Sequence, residues 1–148
     1  MDDIKLEVIE KLLYSSDSDE TKKVLKNCED NKFLFVYMYN YNWDNGFEIP
    51  EVVMNNSDCD LSTALLMFYR ADGIAYLENK NSKISLEKWK DFSDKLYSKI
   101  ICGEYSESDI KFKAPLSKIQ LLKLRKGLSD IEEIFIREVG TIDLEISL

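Results

Sequence analysis

Along most of the chain, apolar residues recur every three or four positions, the period of a helix with one face turned inward. Ile4, Val8, Ile9, Leu12 and Leu13 follow Asp2 and Asp3, whose charges suit a first helical turn, so a helix is expected over 3–14. After the polar turn Ser15-Ser16-Asp17-Ser18, Asp17 stands three residues before Glu20 as in a capping box. Val24, Leu25 and Cys28 then give 18–28 a short apolar stripe. The run KFLFVYMYNY at 32–41 is apolar and aromatic on every face, which suits a buried strand or a buried helix. Its neighbours are helical and no second strand of similar quality lies nearby, so helix is favoured.

Asn42-Trp43-Asp44-Asn45-Gly46-Phe47 reads as a turn, with Asn-Gly supplying left-handed backbone positions. Pro50 fits a first helical turn that continues to Asn55. Asp58 or Asp60 then caps a central helix from Leu61 to about Leu77, with Gly73 as a possible interruption. Over 85–102, Ser85 caps, Leu86, Trp89, Phe92, Leu96, Tyr97, Ile100 and Ile101 form a stripe, and Gly103 stops the helix. Lys88, Lys90, Lys95 and Lys99 fall on its solvated side. Residues 104–115 look irregular. Capping boxes at Ser117/Gln120 and Ser129/Glu132 open two further helices, stopped by Gly127 and Gly140, the second burying Ile131, Ile134, Phe135 and Val139. The tail Ile142, Leu144, Ile146, Leu148 alternates like a strand but has no evident partner, which leaves an extended arm or a frayed end. The pattern predicts an all-α fold: one compact domain over 1–148, a bundle of about six to seven helices with a short extended C-terminal tail.

A chain of 148 residues is long enough to bury a core without a disulfide or metal. Its three cysteines, Cys28, Cys59 and Cys102, are odd in number and lack a C-x-x-C pair, a poor disulfide or zinc framework. Cys28 and Cys102 read as small hydrophobes on apolar helix faces. Met1-Asp2-Asp3-Ile4-Lys5 lacks the basic start of a signal peptide, and no apolar run is long enough to cross a membrane, so a reduced, cytoplasmic location is expected. The net charge of −8 disfavours nucleic acid and anionic membrane as partners and favours a basic protein, although a charge of this size also serves solubility alone. Histidine is absent, which removes the commonest general base and most zinc and iron sites. No cofactor is expected.

Candidate chemistry concentrates between Asn40 and Asp72. Asn40, Asn42, Asp44 and Glu51 occupy positions 1, 3, 5 and 12 of a calcium loop, but position 6 holds Asn45 where glycine is needed and Pro50 intrudes, so no metal site is assigned. Asp44, Glu48, Asp60 and Asp72 would serve a carboxylate-based hydrolase if two of them converged with separated pKa values. The plainer reading makes Asp58 and Asp60 helix caps, puts Asp44 in a turn, and pairs Asp72 with Arg70 or a backbone amide. Trp43 and Phe47 flank the turn, either plugging it onto the core or standing out as anchors for a partner.

Tyr41-Asn42-Trp43-Asp44-Asn45-Gly46-Phe47-Glu48-Ile49-Pro50, then Cys59-Asp60-Leu61-Ser62-Thr63-Ala64-Leu65 and Phe68-Tyr69-Arg70-Ala71-Asp72-Gly73, resemble the bacterial family designated domain of unknown function 4274. The resemblance runs over about 31–105, is best at 41–50 and 59–73, and is looser at Trp89, Phe92 and Gly103-Glu104-Tyr105. It implies a bacterial, cytosolic protein and brings no activity, cofactor or catalytic residue. The expected function is therefore a non-enzymatic protein-binding domain using Trp43, Asp44, Phe47, Glu48, Asp60 and Asp72. Immunity against a basic toxin domain is its most concrete version, by analogy of class with other small acidic bacterial domains; the carboxylate hydrolase is the alternative.

Overall fold

The computed structural model describes residues 1–78 and 86–148; the expected cap Ser85 lies outside the described residues. The helices are α1 (Asp3–Leu13), α2 (Ser18–Lys26), α3 (Asn31–Asn40), α4 (Glu48–Met54), α5 (Leu61–Arg70), α6 (Gly73–Glu78), α7 (Glu87–Ile101) and α8 (Lys118–Gly127). Two short 3-10 helices, Trp43–Asn45 and Asp130–Phe135, complete the all-α architecture.

The ambiguous run at 32–41 is a helix. Phe33 to Met38 are all buried, because α3 is enclosed by α1 on one side and α5 on another. A helix hydrophobic all round belongs in the interior. Asp30 starts it, accepting the Lys32 amide at 3.0 Å and the Phe33 amide at 3.3 Å, and also takes the Lys5 ammonium of α1 at 2.8 Å. Burial pushes the Asp30 carboxyl up, but the Lys5 hydrogen bond and the two amides outweigh it, so its pKa is lowered. A carboxylate depressed on folding adds stability above its unfolded pKa of about 4 and loses it as pH falls through the folded value. Acid unfolding followed by circular dichroism should therefore show a shallower loss of stability below about pH 4 for Asp30→Ala than for the parent.

α5 is the second buried helix, with Leu61 to Tyr69 all inside and Asp60 rather than Asp58 as its cap. The apolar run continues past it, but the helix breaks at Ala71-Asp72. Asp72 takes a left-handed φ of 62°, and α6 starts at Gly73 in a new direction. Gly73 sits so close against the Phe68 ring and carbonyl that a Cβ would collide with both. α7 packs on α5 through Phe92, Leu96 and Ile100 and ends at Gly103. There the Gly103 amide reaches Ile100 and the Glu104 amide reaches Lys99, a Schellman closure.

Several expectations about apolar faces change. Cys102 is exposed, since it follows the last turn of α7. The Ser129/Glu132 capping box forms, but it opens a 3-10 helix that ends at Phe135 well before Gly140. Phe135 and Val139 are buried, while Ile131 is 59% exposed. The tail is a packed arm with a partner. The Phe112 and Val139 backbones exchange hydrogen bonds at 2.8 and 3.0 Å, and the Lys111 amide donates to Ile142 at 2.8 Å. At the end of α3 Asn40 clamps the arm, donating to the Ile146 carbonyl at 2.7 Å and accepting the Leu148 amide at 2.8 Å. Leu144 is buried beneath it.

Candidate functional site

The turn between α3 and α4 is built from its own side chains. Asn42 accepts the Asp44 amide at 3.0 Å, Gly46 takes a φ of 92°, and the Tyr41 hydroxyl donates to the Gly46 carbonyl at 2.7 Å. These bonds hold Trp43 and Phe47 against Phe92 of α7, with ring centroids 5.9 and 5.2 Å apart. The Trp43 ring also meets the Tyr41 ring edge-on at 5.3 Å. Its Nε1 is buried with no hydrogen-bond partner among the described residues.

Both aromatics are half-buried, so each plugs the turn onto the core and still presents one face outward. That face, together with Trp89 and Leu86, walls an apolar depression of about 270 Å³ whose rim includes Arg70 and Asp72. The Trp89 Nε1 donates to the Ala71 carbonyl at 2.5 Å, which ties the α7 ring to the α5–α6 corner. Leu86 is 63% exposed and stands at the edge rather than in the core stripe expected for it. The Arg70 guanidinium lies over the Tyr39 ring, 4.9 Å from its centre, rather than on Asp72. Asp72 is exposed at the corner where the chain turns left-handed.

Of the six side chains expected to form a site, Trp43, Phe47 and Asp72 line this depression, and Asp44 is exposed on the same turn. Glu48 and Asp60 lie elsewhere. Glu48 pairs with Lys22 of α2 at 2.7 Å, which lowers the pKa of the carboxyl and raises that of the ammonium. The pair sits on a second concavity, a polar groove of about 640 Å³ between α1, α2 and the end of α3. Asp60 is 5% exposed and fully engaged. It accepts the Thr63 amide at 2.8 Å, the Asn31 amide group at 3.0 Å and the Ser108 hydroxyl at 2.7 Å. Of Asp44, Glu48, Asp60 and Asp72, one lines the depression, one the groove, and the other two line neither. Asn40 and Asn42 are likewise committed, to the tail and to the turn. Among the described residues no group of three or more His, Cys, Asp or Glu side chains could hold a metal ion.

Trp89 and Arg70 are the wall residues that sequence reasoning missed. Trp89 fell on the same stripe as the buried Phe92 and Leu96, and only the α5–α6 corner beneath it shows that its ring stays half-open.

The molecule is thus an all-α domain carrying an aromatic-walled depression and, apart from it, a polar groove. Residues 29–101 match the sequence model of a family described as a domain of unknown function, 4274, and this part of the chain belongs to that family. No curated protein and no solved structure matches the chain. The depression is lined wholly by residues between Trp43 and Trp89, inside the matched segment, whereas the groove also draws on α1 and α2 before it. Among the described residues no helix is long and apolar enough to cross a membrane.

Proposed function

We propose that this chain is a non-enzymatic protein-binding domain whose depression at Trp43, Phe47 and Trp89 receives one large apolar side chain from a basic partner. The carrying observation is the depression itself. Three aromatic rings, fixed by the turn and by the Trp89 bond to Ala71, leave an apolar recess sized for a single anchor. Rigid aromatic walls around one buried anchor are how interfaces concentrate their energy. The exposed carboxylates of Asp44 and Asp72 beside it, and the net charge of −8, would attract a basic surface and speed encounter. A toxin domain of basic character, neutralised by this chain, is the most concrete partner of that class, and a cytoplasmic setting suits the free thiols.

The test is affinity capture with the purified chain, followed by variants at the rim. A stoichiometric basic protein should be retained, and about 0.5 M salt should weaken its retention because the attraction is between exposed charges. Leu86→Asp, which places a charge at the mouth, should lower affinity by about ten-fold or more. Asp72→Asn keeps a residue that tolerates the left-handed φ and should reduce the salt dependence with little change in thermal midpoint. An association indifferent to salt, or unchanged by Leu86→Asp, would defeat this reading.

A further inference from the structure

Several buried tyrosine hydroxyls in this protein donate to backbone carbonyls. Tyr69 donates to the Phe135 carbonyl at 2.6 Å, Tyr105 to the Met54 carbonyl at 2.8 Å, and Tyr41 to Gly46 at 2.7 Å. Tyr37, on α3, is 2% exposed, and its hydroxyl bonds no protein group among the described residues but is not sealed from solvent. It is also the buried tyrosine, beside Tyr41, that lines the polar groove between α1, α2 and the end of α3. Its hydroxyl is therefore available to whatever occupies the groove, while the rest of the side chain is fixed by burial.

The groove's chemistry narrows the occupant. At about 640 Å³ it falls in the size range of small-molecule sites. Its two charged groups, Lys22 and Glu48, neutralise one another at 2.7 Å, so it offers neither an anion nor a cation a net attraction. What remains is a mixed set of neutral donors and acceptors. The amides of Asn42 and Asn45 and the hydroxyls of Ser18 and Tyr37 line it, with tyrosine rings giving flat apolar faces between them. We infer that the groove is a binding site for a small neutral polyhydroxylated ligand, a mono- or disaccharide, one of whose hydroxyls bonds the Tyr37 hydroxyl at the groove wall. Each ligand hydroxyl both donates and accepts, which matches a lining that does both. Among the described residues the site shares none with the depression assigned to a protein partner, so either assignment can fail without the other.

The experiment is a titration of the isotope-labelled full chain with D-glucose, maltose and N-acetyl-D-glucosamine, reading backbone amide resonances. Inorganic phosphate and glycylglycine are run in parallel. At least one sugar should move the Thr21, Asn40 and Asn45 signals saturably. Tyr37→Phe removes only the unpartnered hydroxyl, so it should leave the thermal midpoint unchanged or raised while weakening sugar binding about three- to ten-fold. Ser18→Phe, at an exposed position on the groove, should block binding by bulk and decides the matter if Tyr37→Phe fails to fold. The proposal is overturned if no sugar moves those signals, if only phosphate or glycylglycine does, or if the sugar response survives both substitutions undiminished.

Discussion

Gly140→Ala is expected to destabilise the protein by about 3 kcal/mol or more. Gly140 takes a φ of 65°, where an L side chain costs roughly 1–2 kcal/mol by itself. Strain is the smaller part. A Cβ built there runs into the carbonyl of Ile110 and lies 2.7 Å from that of Asp109. The crossing cannot simply open, because Asp109 accepts the Thr141 amide at 3.0 Å and the Ile142 amide at 2.8 Å. The Ile110 carbonyl is held from its other side by the Ser62 hydroxyl of α5 at 2.6 Å. Moving the 109–112 segment away from Gly140 therefore pushes it against the central helix. Gly46→Ala and Gly103→Ala serve as controls. Both glycines have positive φ, but nothing lies within 4 Å of their would-be Cβ, so each should lose only about 1 kcal/mol. Urea denaturation of the three variants measures the difference. Equal losses at all three positions would mean that the 109–112 segment and α5 are not coupled as described.

What the sequence disclosed about this fold was local. Asp17 and Ser117 announced their helices because a cap and the amide it satisfies lie three residues apart, and both bonds are present. Gly103 and the turn at Gly46 were legible for the same reason, although within that turn only Gly46 takes a positive φ and Asn45 stays in the 3-10 helix before it. The run at 32–41 was readable as a helix only through its neighbours, since a segment buried on all sides has lost the period that distinguishes helix from strand. Apolar faces failed wherever burial depends on a distant element. Ile131 and Cys102 stand on plausible stripes but are exposed. The tail met its partner in 109–112, where Asp109, Ile110, Lys111 and Phe112 do alternate as a strand does, but over a run too short to stand out from the irregular residues before it. The site divides in the same way. Trp43 and Phe47 were visible as loop aromatics, and Asp72 shares their depression only because α5 stops short and turns there. No pattern in the sequence brings Lys22 of α2 to Glu48 of α4, so the groove beneath that pair could not be foreseen.

Asp60→Ala should lower stability by about 3–4 kcal/mol, and the reason settles what this carboxylate is for. It is the most buried of the acids once grouped as a possible site, and three donors from three separate segments converge on it. The Thr63 amide begins α5, Asn31 begins α3, and Ser108 belongs to the stretch that carries the tail. Alanine leaves all three donors without their acceptor in a place water scarcely reaches. Each lost bond to a charged group is worth roughly 1.5–3 kcal/mol, with a sum below simple addition because the segments relax together. Asp60→Asn retains an acceptor and a good capping residue but turns one amine towards groups that themselves donate, so it should recover about half of the loss. A residue kept for binding or catalysis behaves in the opposite way, since its removal leaves stability unchanged or improved and abolishes activity. Chemical denaturation of the two variants, together with partner capture by the fraction that remains folded, separates the cases. Near-parental stability in Asp60→Ala, accompanied by lost capture, would return Asp60 to the functional surface.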